Sequence, residues 1–135
     1  MDNIGLKALS KTEIPQLSKN LTNNDIDFLV ECLSEKDDKI RYHAFLLLQE
    51  ASRNFSIVYP YWNVLEDKLD NDNSYQRSLG LMLISENVRW DKDNKFAGML
   101  DKYLHCCADE KFITARQAIQ GLTNIINATD IYNDK

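Results

Sequence analysis

Three groups of residues in this chain have side chains and spacings that could do chemistry. His105, Cys106 and Cys107 are consecutive and each could ligate a soft metal, His43 could take a proton, and arginines recur at positions 41, 77 and 116. Neighbouring residues on a helix point about 100° apart, so the His-Cys-Cys run does not converge on one ion. No CxxC or HxxxH accompanies it. The expectation is one packed thiol and one bystander, with Cys32 also packed. His43 has no identifiable Ser or Cys nucleophile with a supporting acid, and Glu50 lies two turns away. No Gly-rich phosphate loop is present. The motifs therefore predict no catalytic residue, no metal, no cofactor and no enzyme.

The arginines are the informative group. They are 36 and 39 residues apart, and each sits early in a similar stretch: KDDKIRYHAFLLLQEAS, DNDNSYQRSLGLMLISEN and ADEKFITARQAIQGLTNI. Arg41, Arg77 and Arg116 read as a structural ladder, each pairing with acids of neighbouring turns such as Asp37, Asp38, Asp72 and Asp109. Partly exposed pairs of that kind contribute about 0–1 kcal/mol each. A period of this length predicts stacked helical hairpins, so the elements that position the arginines are helix pairs.

The expected organisation is one domain over 1–135, with an N-terminal lead-in at 1–21, repeats at 22–53, 55–88 and 92–127, and a frayed tail at 128–135. In the lead-in, Thr12 is a candidate N-cap and Pro15 suits a helix start. The first hairpin pairs a helix from Thr22 or Asn23 to about Leu33 with one from Asp38 to about Arg53. The second begins near Val58, with Val58, Trp62, Leu65 and Leu69 as one stripe, and continues from Ser74 to about Asn87. The third runs from about Asn94 to Cys107, with Phe96, Met99, Leu100, Tyr103 and Leu104 inside. Its second helix carries Ala115, Ala118, Ile119, Leu122, Ile125 and Ile126. Aligned on the arginines, Ala44, Gly80 and Ile119 are equivalent, as are Leu47, Leu83 and Leu122.

Composition narrows the function classes. The formal net charge is −5, which discourages non-specific binding to nucleic acid or anionic lipid. No apolar run reaches the roughly 18 residues of a membrane span. The N-terminus has neither a basic region nor a continuous apolar segment. Three cysteines, two of them adjacent, make no disulfide framework. The cytoplasm is the expected compartment.

The alternation of two helices with an acidic turn, then Arg, a small residue and Leu, resembles the HEAT-repeat family over roughly residues 22–126. The segments PYWNVLEDKL, DNDNSYQRSLGLMLISENVRWDKDNK and DEKFITARQAIQGL are similar to small bacterial and archaeal HEAT-like proteins labelled SufBD-related. The resemblance implies an all-α, right-handed α-α superhelix of about three hairpins and carries over no catalytic residue. It gives no support for the iron–sulfur role that the label suggests. Such proteins continue into another helical pair, so the face bearing Ile119, Leu122 and Ile126 is expected to be under-covered. That would follow from a missing portion of chain, or from packing on a partner or a second copy.

The expected function is a non-enzymatic scaffold or adaptor for a protein or peptide, with the second helices of the hairpins lining an inner face. Two columns, Tyr42–Ser78–Gln117 and Gln49–Ser85–Asn124, read as exposed and uncharged. Tyr42, Gln49, Ser85, Gln117 and Asn124 are thus the predicted contacts. Tyr59 and Tyr61 flank Pro60 at a helix start, where at least one is expected to face water, and both are added as candidate contacts. Trp62 reads as core and Trp90 as a loop staple. Nucleic-acid binding or DNA processing on the same scaffold is the alternative, and it needs a cationic groove that these residues do not assemble.

Overall fold

The computed structural model describes residues 1–128. They form eight α-helices joined by short 3-10 turns, with no strand among the described residues. The expected tail lies, from Thr129 onward, outside the described residues. The chain divides into two compact units, the first Met1–Val58 and the second beginning at Tyr59.

The first unit holds α1 (Asn3–Lys7), α2 (Ile14–Ser18), α3 (Asn23–Cys32) and α4 (Asp38–Asn54). Thr22 starts α3 through a reciprocal capping box with Asp25, an arrangement that contributes about 1 kcal/mol. Asp37 starts α4 by accepting from the amides of Lys39 and Ile40. Helix α4 is apolar over a wide arc, and α1, α2 and α3 all pack on it. Ile40, Ala44, Phe45, Leu47, Leu48 and Ala51 are buried as a result. Full burial of each large aliphatic side chain there contributes about 1.5–3 kcal/mol. In the lead-in the cap is Ser10, boxed with Glu13, and Thr12 lies inside the following 3-10 turn. Ser10 takes that role because its hydroxyl precedes Glu13 by the three residues a capping box needs.

The second unit holds α5 (Trp62–Asp67), α6 (Ser74–Asn87), α7 (Leu100–Cys106) and α8 (Phe112–Ala128). Helix α6 is its centre and packs against both α5 and α8. Both approaches are close enough to require glycine. A Cβ on Gly80 would stand 2.7 Å from the Leu65 carbonyl oxygen of α5, and one on Gly121 would stand 3.1 Å from Ser85 Cβ of α6 and 2.1 Å from Tyr103 Oη of α7. A glycine inside a helix costs roughly 0.5–1 kcal/mol, and here that cost admits the neighbouring element.

Two expected boundaries move. Val58 closes the first unit rather than opening the second hairpin, and α5 starts at Trp62 after a 3-10 turn at Tyr59–Tyr61. Asn94 does not start a helix. Its φ of 57° is left-handed, the Asp91 carboxylate holds the amides of Lys95 and Phe96, and helix α7 begins only at Leu100. Leu104, expected inside, is exposed, while Phe96, Met99 and Tyr103 are buried.

Candidate functional site

Arg41 in the first unit and Arg77 in the second share one local geometry. Helices α4 and α6 both begin three residues before their Arg, after an Asp or Asn cap that sits four residues before it. In each, Arg Nη1 donates to a carbonyl six residues back: Arg41 to Glu35 and Arg77 to Asn71, both at 2.9 Å. Arg41 pairs locally with Asp38. Arg77 reaches further, gripping both oxygens of Asp109 at 2.8 and 3.1 Å from Nε and Nη2. The guanidinium bonded to Asp109 holds that carboxyl below the usual carboxylate range, and the carboxylate raises the arginine. Asp72 contributes only its main-chain carbonyl, and Asp37 pairs with Lys7 instead. Arg116 is exposed and has no ion-pair partner among the described residues.

Arg116 does not repeat that local geometry: α8 starts four residues before it, not three. The structural register is therefore 36 and then 38 residues. Burial follows the same spacing within each unit: Ala44 and Leu47 are buried in the first, and Gly80, Leu83, Ala118 and Gly121 in the second. Ile119, aligned by sequence with Ala44 and Gly80, is 55% exposed, and Leu122, aligned with Leu47 and Leu83, is half-buried.

The polar columns do not form a surface either. Tyr42 is exposed, with Lys11 Nζ 5.3 Å over its ring, and Gln49 is half-buried; both belong to the first unit. In the second unit Ser85 is only 2% exposed and faces Gly121, its hydroxyl donating to the Met82 carbonyl at 2.8 Å. Ser78 is also buried, against Thr114 of α8. Both serines were misread as exposed because α8 covers that side of α6, and small polar residues permit the close approach. Gln117 is half-buried; Asn124 is exposed as expected, its amide donating to the buried Glu86 at 3.0 Å.

The remaining candidates are structural. His43 is buried, and its Nδ1 lies 2.7 Å from the Leu6 carbonyl, the place of a ring N–H that ties α4 to α1. Of the two tyrosines flanking Pro60, Tyr59 is buried. Its hydroxyl donates to Asp91 at 2.6 Å, the same carboxylate that shapes the loop before Phe96. Burial, with that carboxylate alongside, pushes the phenol up. Tyr61 is half-buried. Cys106 is buried and Cys107 half-buried, and burial raises both thiols. Cys32 is buried and is pushed up to about 11, by burial first and then by Glu35 and Glu31. No group of three His, Cys, Asp or Glu side chains able to hold a metal occurs among the described residues. Lys68, which no motif marks, is buried and donates to Gln76 at 2.7 Å; burial lowers its ammonium pKa.

Large apolar side chains are exposed in both units, Ile4 the most at 83%, and on α8 three of them lie along one face. Phe112 is 78% exposed, Ile119 55% and Ile126 42%, and Ala115 and Leu122 between them are half-buried. The opposite face of the helix, Thr114, Ala118, Gly121 and Ile125, is the buried one. The bare positions are seven apart, with the intermediate ones three further on, so they form one continuous stripe along about 21 Å of helix. Isolated exposed apolar residues are ordinary, whereas a contiguous stripe of this kind marks a contact surface.

No helix among the described residues is long and apolar enough to cross a membrane. No family model matches the chain, and neither a curated protein nor a solved structure matches it.

Proposed function

We propose that this chain is a non-enzymatic scaffold or adaptor, a HEAT-like solenoid that works in the cytoplasm by holding a protein partner. The observation that carries the reading is the exposed apolar stripe of α8. The recurring cap, Arg and carbonyl geometry at α4 and α6, and the buried positions spaced 36 and 38 residues apart, support the repeat architecture. The contact surface is the outer face of α8 rather than the Tyr42 and Gln49 columns. The mechanism is presentation. Helix α8 is fixed by α6 and α7, so its stripe is ordered before a partner arrives, and association loses little chain entropy.

Immobilised chain, wild type and Ile119→Glu, tests this by capture from cell lysate. Ile119 is exposed, so the variant should keep its melting temperature. A protein held stoichiometrically by the wild type and lost from the variant is expected. Identical captured sets from the two would sink the reading.

A further inference from the structure

We infer that the occupant of the α8 stripe is a second copy of this chain, with the two α8 helices packed antiparallel about a two-fold axis. The inference rests on the reading of α8 as the contact surface and names its partner.

Spacing is the first argument. Phe112, Ile119 and Ile126 fall seven apart, with Ala115 and Leu122 between them, which is the a and d seam of two heptads. A seam of that period is what one helix offers to another helix.

Charge is the second. The chain carries 21 acids against 16 bases, so two copies repel over most of their surface. From Phe112 to Ala128 there is no acid and one base, Arg116. This helix is where identical acidic chains can meet without setting carboxylate against carboxylate. A partner selected by charge would find almost nothing here to complement.

Arg116 also fixes the direction. Parallel helices would place the two Arg116 side chains next to each other. An antiparallel pair centred on Ile119 separates them by about 9 Å along the axis and sets Phe112 opposite Ile126 of its twin. It also opposes the two helix dipoles. A two-fold contact is closed, so both stripes are buried at once.

Sedimentation equilibrium of the full chain over a range of concentration tests the proposal. The wild type should sediment at twice the chain mass at micromolar concentration. Ile119→Glu places twin carboxylates at the centre and should weaken the dimer at least tenfold. Phe112→Glu alone should also weaken it, and adding Ile126→Lys in the same chain should restore it, because antiparallel pairing brings the opposite charges together. A wild type that stays at one chain mass at several hundred micromolar overturns the proposal, as does a dimer indifferent to Ile119→Glu. Failure of the double variant to recover overturns the antiparallel register. If the wild type is a monomer yet captures another protein that Ile119→Glu loses, the adaptor reading stands and only the second copy is wrong.

Discussion

Helices α4 and α8 are both 17 residues long and both follow an acidic turn, yet they treat their apolar residues in opposite ways. Helix α4 spreads leucines, an isoleucine and a phenylalanine over a wide arc, and three neighbouring helices cover it. Helix α8 turns its smallest residues inward, Ala118 and Gly121 among them, and leaves Phe112, Ile119 and Ile126 outside. An apolar arc records how much surface a helix needs covered. It does not record which part the same unit covers.

The largest expected effect breaks that comparison if it is wrong. Leu48→Ala in α4 removes a side chain with no exposure and should cost about 3 kcal/mol, from lost transfer energy plus the cavity left behind. Ile119→Ala in α8 should change stability by no more than about 0.5 kcal/mol when measured under dilute conditions. Urea denaturation of both variants checks the pair. Similar costs at the two sites would mean that the α8 stripe is already covered within the chain.

Next in size is how the two helices are anchored at their starts. At α4, Arg41 meets Asp38 three residues away, and the Asp38 side chain is 90% exposed. At α8, Asp109 in the preceding turn meets Arg77 from 32 residues away, with both side chains largely buried. Asp109→Asn should cost about 2 kcal/mol at neutral pH, because a charge-assisted double hydrogen bond is lost; Asp38→Asn should cost under about 0.5. The folded pKa of Asp109 is lowered, so the folded state binds its proton less readily than the unfolded chain. The pair's stabilisation is therefore complete above about pH 5 and fades as the pH falls below about 4. Denaturation midpoints between pH 3 and pH 7 should show a shallower acid limb in Asp109→Asn. An unchanged limb would remove the pair from the account of acid stability.

Much of the fold was legible because it rests on local rules. The helix start at Thr22, the spacing of Ile26, Leu29, Val30 and Leu33, and the recurrence of the arginines all follow from residue type and period. The bare face of α8 was also legible, since Ile119, Leu122 and Ile126 exceed what one neighbour can bury. The polar columns were not. A serine on a helix reads as solvent-facing unless the sequence says that another helix lies within touching distance, and Ser85 is buried because Gly121 brings α8 that close. The third register was misread for a related reason. Arg116 marks a repeat position by sequence, but the start of α8 at Phe112 sets the geometry, one residue out of step.

The smallest effect sharpens the comparison at one position. Leu47 and Gly121 are each the tenth residue of their helices, one filling its core and the other vacating space. Tyr103 occupies that space: its hydroxyl donates to the Ala118 carbonyl at 2.8 Å and stands 2.1 Å from where a Gly121 Cβ would be. Gly121→Ala should gain up to about 1 kcal/mol in helix propensity and lose about 2 to the displaced tyrosine, a net cost of about 1 kcal/mol. Tyr103→Phe alone should cost about 1 kcal/mol through the lost hydrogen bond. Without the hydroxyl the methyl group of alanine meets less resistance, so Gly121→Ala added to Tyr103→Phe should be neutral or stabilising. A double-mutant cycle by thermal denaturation reads that coupling directly. Additive costs would mean that Gly121 is required by Ser85 and α6 rather than by Tyr103, and that the small face of α8 is set by the helix-to-helix approach alone.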